Sequence, residues 1–145
     1  MGLEIAEIMM DIEERFMFRT DDGDPFNKDP TVSEFCEKLF QMYSIRRLQQ
    51  IQKIRAMREK YGDVPLDHKL GKELSSFCSN VRVGLFGKIR APGKTLGELL
   101  AYHEEAVPVD FPAFTEAVTK IIQRRACLSQ APNPEDKLIA DLNLG

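Results

Sequence analysis

The sequence predicts an all-α protein made of one or two small helical bundles. Apolar residues recur at three- and four-residue steps in several segments, the spacing of amphipathic helices. Two of those segments open on a Thr-x-x-Glu capping box, at Thr31/Glu34 and at Thr95/Glu98. Glycines and prolines punctuate the chain between them.

The first helix is expected over residues 3–16. Leu3, Ile5, Ile8, Met9, Ile12 and Phe16 form its apolar stripe, and Glu4, Glu7, Asp11 and Glu14 fill much of the remainder. Acids early in a helix complement its positive N-terminal dipole. The pattern alone equally describes a surface helix with a solvated acidic face. Residues 20–30 are dense in turn formers and read as a loop. Its acids Asp21, Asp22, Asp24 and Asp29 have the composition of a calcium loop but not its spacing, since Val32 stands where the twelfth position needs glutamate.

Thr31 then caps a short helix over 32–42, with Val32, Phe35, Cys36 and Leu39 on its apolar face. A separate helix over 44–61 carries a narrow stripe of Ile45, Leu48, Ile51 or Gln52, Ile54 or Arg55, and Met57 or Arg58. Gly62 ends it and Pro65 prevents its continuation. Residues 84–93 are turn-rich and lack the glycine spacing of a nucleotide site. Thr95 starts a helix over 96–105. Pro108 and Pro112 mark a linker before the last helix, 113–125, which places Phe114, Ala117, Val118, Ile121 and Ile122 on one face.

At 145 residues the chain supports one compact domain or two very small ones. Its 43% hydrophobic and 30% charged residues are those of a globular protein, not a disordered one. No apolar run approaches a membrane span, and acids stand near the N-terminus where a signal peptide has bases. A cytoplasmic location and no membrane partner are therefore expected. The net charge of −3 conceals blocks: residues 1–42 hold 11 acids and 4 bases (−7), 43–103 hold 5 and 12 (+7), and 104–145 hold 7 and 4 (−3). Opposite blocks favour docking within a chain or between chains. Nucleic acid is not an expected partner, because the protein is acidic overall and no binding motif accompanies the bases.

Cys36, Cys78 and Cys127 are far apart and form no Cys-x-x-Cys pair, so they read as small buried apolar residues, without a zinc site or disulfide framework. His103-Glu-Glu lacks the second histidine of a zinc helix and reads as a surface position. A nucleophile pair of Cys78 with a histidine would have to be spatial, and nothing in the sequence favours it. Neither a metal site nor an enzyme is expected. Met9, Met10 and Met17, at helical spacing, read as core filler or as an adaptable docking edge.

Residues 3–16 resemble the second helix of acyl carrier proteins, the acidic helix that partner enzymes recognise. In that family it opens on Asp-Ser-Leu and the serine carries phosphopantetheine; here the corresponding positions are Met1 and Gly2. Thr31-Val32 matches the start of the family's last helix at a suitable distance. The tail resembles the loop after the family's first helix through Leu138, Asp141 and Leu142, with Asn143 in place of glycine. Residues 118–122 are similar to the middle of that first helix. The resemblance thus implies a circularly permuted carrier made of residues 1–42 plus 113–145, helix 113–125 packing on helix 3–17 within the chain or across a swapped dimer. Residues 43–112 are basic and look like a degenerate carrier unit. There residues 65–74 parallel 134–142, residues from Thr95 parallel those from Thr31, and the serine-equivalent position falls near Cys78 or Ser79.

The family implies docking on fatty-acid or polyketide enzymes through Glu7, Met10, Asp11, Glu13 and Glu14. Gly2 supplies no hydroxyl, so no phosphopantetheine or other cofactor is expected. Ser75, Ser76 and Ser79 are the nearest serines and read as caps or turn residues. The expected function is a non-catalytic carrier-like protein that docks a partner with a basic surface. Two alternatives stand beside it: a true acyl carrier using a serine elsewhere, and a homo-oligomeric module, such as a homodimer, that pairs its acidic and basic blocks.

Overall fold

A computed structural model of the chain describes residues 3–20 and 29–145. Gly2 and the acids Asp21, Asp22 and Asp24 lie outside the described residues. The protein is all-α: α1 (Leu3–Phe16), α2 (Val32–Tyr61), α3 (His68–Ser75), α4 (Leu96–Glu105) and α5 (Phe111–Arg125). The strands among the described residues, β1 (Arg82–Val83) and β2 (Ile89–Arg90), form one short antiparallel hairpin.

Three boundaries differ from the sequence expectation. The helices expected over 32–42 and 44–61 are one continuous α2, because no glycine or proline interrupts the hydrogen-bond ladder between Thr31 and Gly62. α5 begins at Phe111, and Pro112 lies in its first turn rather than in a linker; an amide there has no helical partner to lose. A helix that the sequence reading did not assign, α3, is started by the Asp67 carboxylate accepting from Leu70 N at 2.8 Å. The apolar stripe of 44–61 is also corrected. Ile45 and Leu48 are exposed, while Gln50, Ile51, Ile54 and Met57 are buried. Gln50 is inside with both amide atoms unpaired, a cost of about 1–3 kcal/mol.

The chain divides into two compact units. Unit 1 comprises Met1–Phe16, Thr20–Tyr43 and Val109–Gly145; unit 2 comprises Met17–Arg19 and Ser44–Pro108. α2 therefore serves both, residues 32–43 in one and 44–61 in the other.

In unit 1, α1 packs on α5 within the same chain. Ile5, Ile8, Met9 and Ile12 of α1 are buried, as are Phe114, Val118, Ile121 and Ile122 of α5. Aromatic rings close one end: Phe16 to Phe114 at 4.5 Å, Tyr43 to Phe114 at 5.3 Å and Phe40 to Phe111 at 5.1 Å. Such pairs add to the area they bury. Tyr43 keeps its hydroxyl satisfied by accepting from Val109 N at 3.0 Å. Unit 2 has its own core of Ile51, Ile54, Met57, Leu70, Leu74, Cys78, Val81, Leu96, Leu99 and Leu100.

Each unit is closed by the same hydrogen-bond pattern around a helix-capping threonine. In unit 1, Thr31 bridges Lys137; Val32 N donates to Asp136 O (2.8 Å) and Leu138 N to Pro30 O (3.1 Å). In unit 2, Thr95 bridges Pro65; Leu96 N donates to Val64 O (3.0 Å) and Leu66 N to Lys94 O (2.9 Å). Both threonine hydroxyls accept the amide three residues on, Glu34 N and Glu98 N, each at 3.1 Å. The bridges set Pro65 against Lys137, three residues from the Pro134 that sequence similarity suggests. Thr31→Ala and Thr95→Ala should therefore each destabilise the chain by about 1 kcal/mol. Chemical denaturation of the two single variants and the double variant checks this.

Candidate functional site

The outward face of α1 is centred on Met10, which is 65% exposed on a helix whose opposite face is core. Glu14, also exposed, lies one turn on, and half-buried Glu7 one turn back. Asp11 and Glu13 stand on the two flanks, both half-buried. The five expected residues thus share one helix surface, but they are not equally available.

Asp11 accepts a bidentate pair from Arg125, at 2.8 Å from Nε and 3.0 Å from Nη2. Arg125 Nη1 also reaches Glu7 at 3.1 Å. The Asp11 hydrogen bonds and charge, with Glu7 behind them, raise the Arg125 pKa above its ordinary value. Glu13 accepts from Thr20 N at 2.9 Å, binding the chain just beyond α1 back to the helix. The acidic face is therefore also a fastening for α5 and for the loop entry. Sequence reasoning missed Arg125. A base in the last turn of α5 is ordinary there, and only the fold brings it beside acids more than a hundred positions away.

An open groove runs beside this face, lined by Asp11, Glu14, Arg15, Ile121, Arg124, Arg125 and Cys127. Cys127 is exposed, correcting the expectation that all three cysteines are buried. It sits at φ 55° just past the α5 C-cap, where left-handed backbone turns the chain outward. The methionines separate: Met9 is core, Met10 is outside, and Met17 belongs to unit 2, where its Sδ lies 3.4 Å from the Tyr102 hydroxyl.

Unit 2 holds the chain's other chemically distinctive group. His103 is buried, not a surface residue, because the α4 stripe Leu96, Leu99, Leu100 continues through it into the core. Its Nε2 lies 3.3 Å from Asn80 Oδ1 and 3.4 Å from Cys78 Sγ. The Cys78 thiol donates to the same Asn80 oxygen at 2.8 Å. Burial pushes the Cys78 thiol up to about 11, and burial together with nearby Arg47 lowers the His103 pKa. A neutral thiol beside a neutral imidazole, with no exposure of Cys78, is a satisfied polar cluster rather than an activated nucleophile. Arg47 donates to the carbonyls of His103 and Ala106, finishing the C-terminal end of α4.

The three serines near the second serine-equivalent position differ in exposure: Ser76 is exposed, while Ser75 and Ser79 are half-buried. Ser75 and Ser76 hydroxyls bond back to Lys72 O and Glu73 O, and the Ser79 oxygen is buried without a partner. Among the described residues no group of three or more His, Cys, Asp or Glu could hold a metal, and no helix is long and apolar enough to cross a membrane. No family model, curated protein or solved structure matches the chain.

Two outcomes are expected. Arg125→Ala should lower Tm more than Lys120→Ala, whose pair with Glu116 is far more exposed (72%/69% against 38%/27% for Arg125 with Asp11). High salt should narrow the difference. For His103, the folded pKa lies below the unfolded value of about 6.5. Its contribution is complete above that value and is lost as pH falls through the folded pKa, because the unfolded chain binds the proton first. A stability profile over pH 4–8 (roughly the range where histidines titrate) should slope downward towards acid, and His103→Gln should flatten that slope.

Proposed function

We propose that this is a non-catalytic, carrier-like interaction protein that docks a partner protein through the outward face of α1. The observation that carries the reading is Met10, a large apolar side chain held 65% exposed amid Glu7, Asp11, Glu13 and Glu14. An adaptable apolar centre with an acidic surround suits a basic docking surface that has its own apolar pocket. The centre supplies the buried anchor, and the acids supply orientation and encounter rate.

The acyl-carrier resemblance adds the class of partner: enzymes of fatty-acid or polyketide metabolism in the cytoplasm. The permuted reading is supported by the joining of α1, α5 and the tail in one unit, and by Asn143. That residue stands where the family pattern has glycine and adopts φ 58°, a conformation asparagine shares with glycine. Phosphopantetheine has no place in this reading. Of Ser75, Ser76 and Ser79, two hydroxyls are used by the helix itself and the third is buried.

Incubation with coenzyme A and a promiscuous phosphopantetheinyl transferase should leave the intact mass unchanged. A phosphopantetheine adduct would make the protein a true acyl carrier instead. Docking itself is tested at low salt with a purified fatty-acid-synthesis enzyme that accepts acyl carriers. Met10→Ala and Glu14→Lys should each weaken binding about tenfold, roughly the loss of one moderate anchor. Met10 does not belong to the core, so the Tm of Met10→Ala should hold. Unchanged affinity in both variants refutes the docking face, and a salt-sensitive dimer in sedimentation would favour pairing between copies.

A further inference from the structure

The β1–β2 hairpin of unit 2 displays two large apolar side chains at its tip. Leu85 is 86% exposed and Phe86 fully so, bracketed by Gly84 and Gly87. Phe86 is held at φ 63°, ψ 23°, a left-handed conformation that bulky residues rarely adopt. The turn is closed by Gly84 N donating to Lys88 O at 2.7 Å.

The root of the hairpin is seated firmly. Val83 and Ile89 pair across the ladder and are half-buried, and a Cβ at Gly71 of α3 would collide with Ile89. On the opposite face Arg82 pairs with Arg90, both exposed, and exposed Lys88 follows the tip. Between Glu73 and Glu98 the chain holds four bases (Arg82, Lys88, Arg90, Lys94) and no acid.

We propose that this hairpin is a peripheral membrane finger, with Leu85 and Phe86 entering the layer beneath the headgroups of an anionic bilayer while Lys88 and Arg90 remain at the phosphates. The tip is a projection, so it fits a medium that yields around it, as acyl chains do. The collar lies a few residues behind the tip, which places its cations at headgroup level when the rings are immersed. The contact needs no spanning helix. Two apolar side chains and two cations make it weak, reversible and salt-sensitive. It departs from the expectation of no membrane partner, which rested on the absence of a spanning run.

The chain contains no tryptophan, so a full-length Phe86→Trp variant carries a single selective fluorophore at the tip. With vesicles rich in phosphatidylserine its emission should shift to the blue, and with phosphatidylcholine vesicles it should not. Co-sedimentation of the unmodified protein should follow the same lipid dependence and weaken in high salt. Phe86→Asn keeps a residue suited to the left-handed turn, so Tm should hold while vesicle binding is lost. Lys88→Ala should weaken binding about fivefold, the share of one juxtamembrane base. The proposal is overturned by an unshifted emission on phosphatidylserine vesicles. It is equally overturned if Phe86→Asn and Leu85→Ser sediment as the unmodified protein does, which would leave a purely electrostatic surface. An emission shift produced only by an acidic protein would assign the finger to a protein pocket instead.

Discussion

Each unit depends on a helix-starting threonine that makes two sets of bonds at once. Its hydroxyl satisfies an amide that the first turn of a helix leaves without a partner, and its backbone neighbours pair with a returning loop. Without the loop, Leu138 of unit 1 and Leu66 of unit 2 would have no fixed place beside their cores. Without the cap, the helix start that positions the bridge would fray. The reinforcement differs in detail. Asp29 accepts Ile139 N and Ala140 N at 2.7 and 2.8 Å in unit 1, whereas in unit 2 the Asp63 carboxylate accepts Gly97 N at 2.8 Å. A side chain at Gly97 would press into that carboxylate, so the closeness of the helix start and the loop is itself a constraint on sequence.

The acidic face of α1 has a structural role that the proposed docking would have to share. Asp11 and Glu7 fasten Arg125, and Glu13 fastens Thr20, while Met10 looks outward. A docking partner would meet a helix already braced on both flanks, so little ordering would be needed on binding.

Helix positions and capping threonines were legible in the sequence because they are encoded locally, by periodicity and by a hydroxyl three residues before its acid. What escaped was set by tertiary context. The join of 32–42 to 44–61 is decided by the absence of a breaker, and two different apolar stripes conceal that. Ile45 and Leu48 fit the helical period as well as Ile51 and Ile54 do, yet only the latter pair meets a core. His103 looked like a surface residue from its acidic neighbours Glu104 and Glu105, although its spacing from Leu96, Leu99 and Leu100 places it inward. The Asn80 oxygen that serves both Cys78 and His103 has no sequence signature at all, and neither does the pairing of Arg125 with Asp11.

The nesting of one unit inside the other fixes an order of assembly. Apart from Met17–Arg19, unit 2 is drawn from the unbroken stretch Ser44–Pro108, so nearly all of its contacts can form while later residues are still unmade. Unit 1 must wait. The partner for the apolar face of α1 is α5, and the strand that bridges Thr31 is the tail at Lys137. During synthesis, Ile5, Ile8, Ile12 and Phe16 therefore emerge before α5 and stay uncovered until it follows. Closing so long a loop adds only slowly to the entropy cost as the loop lengthens, but it is slow to search. The first helix of this chain is thus its longest-lived sticky surface, and the acids on its other face keep it in solution until its C-terminal partner arrives.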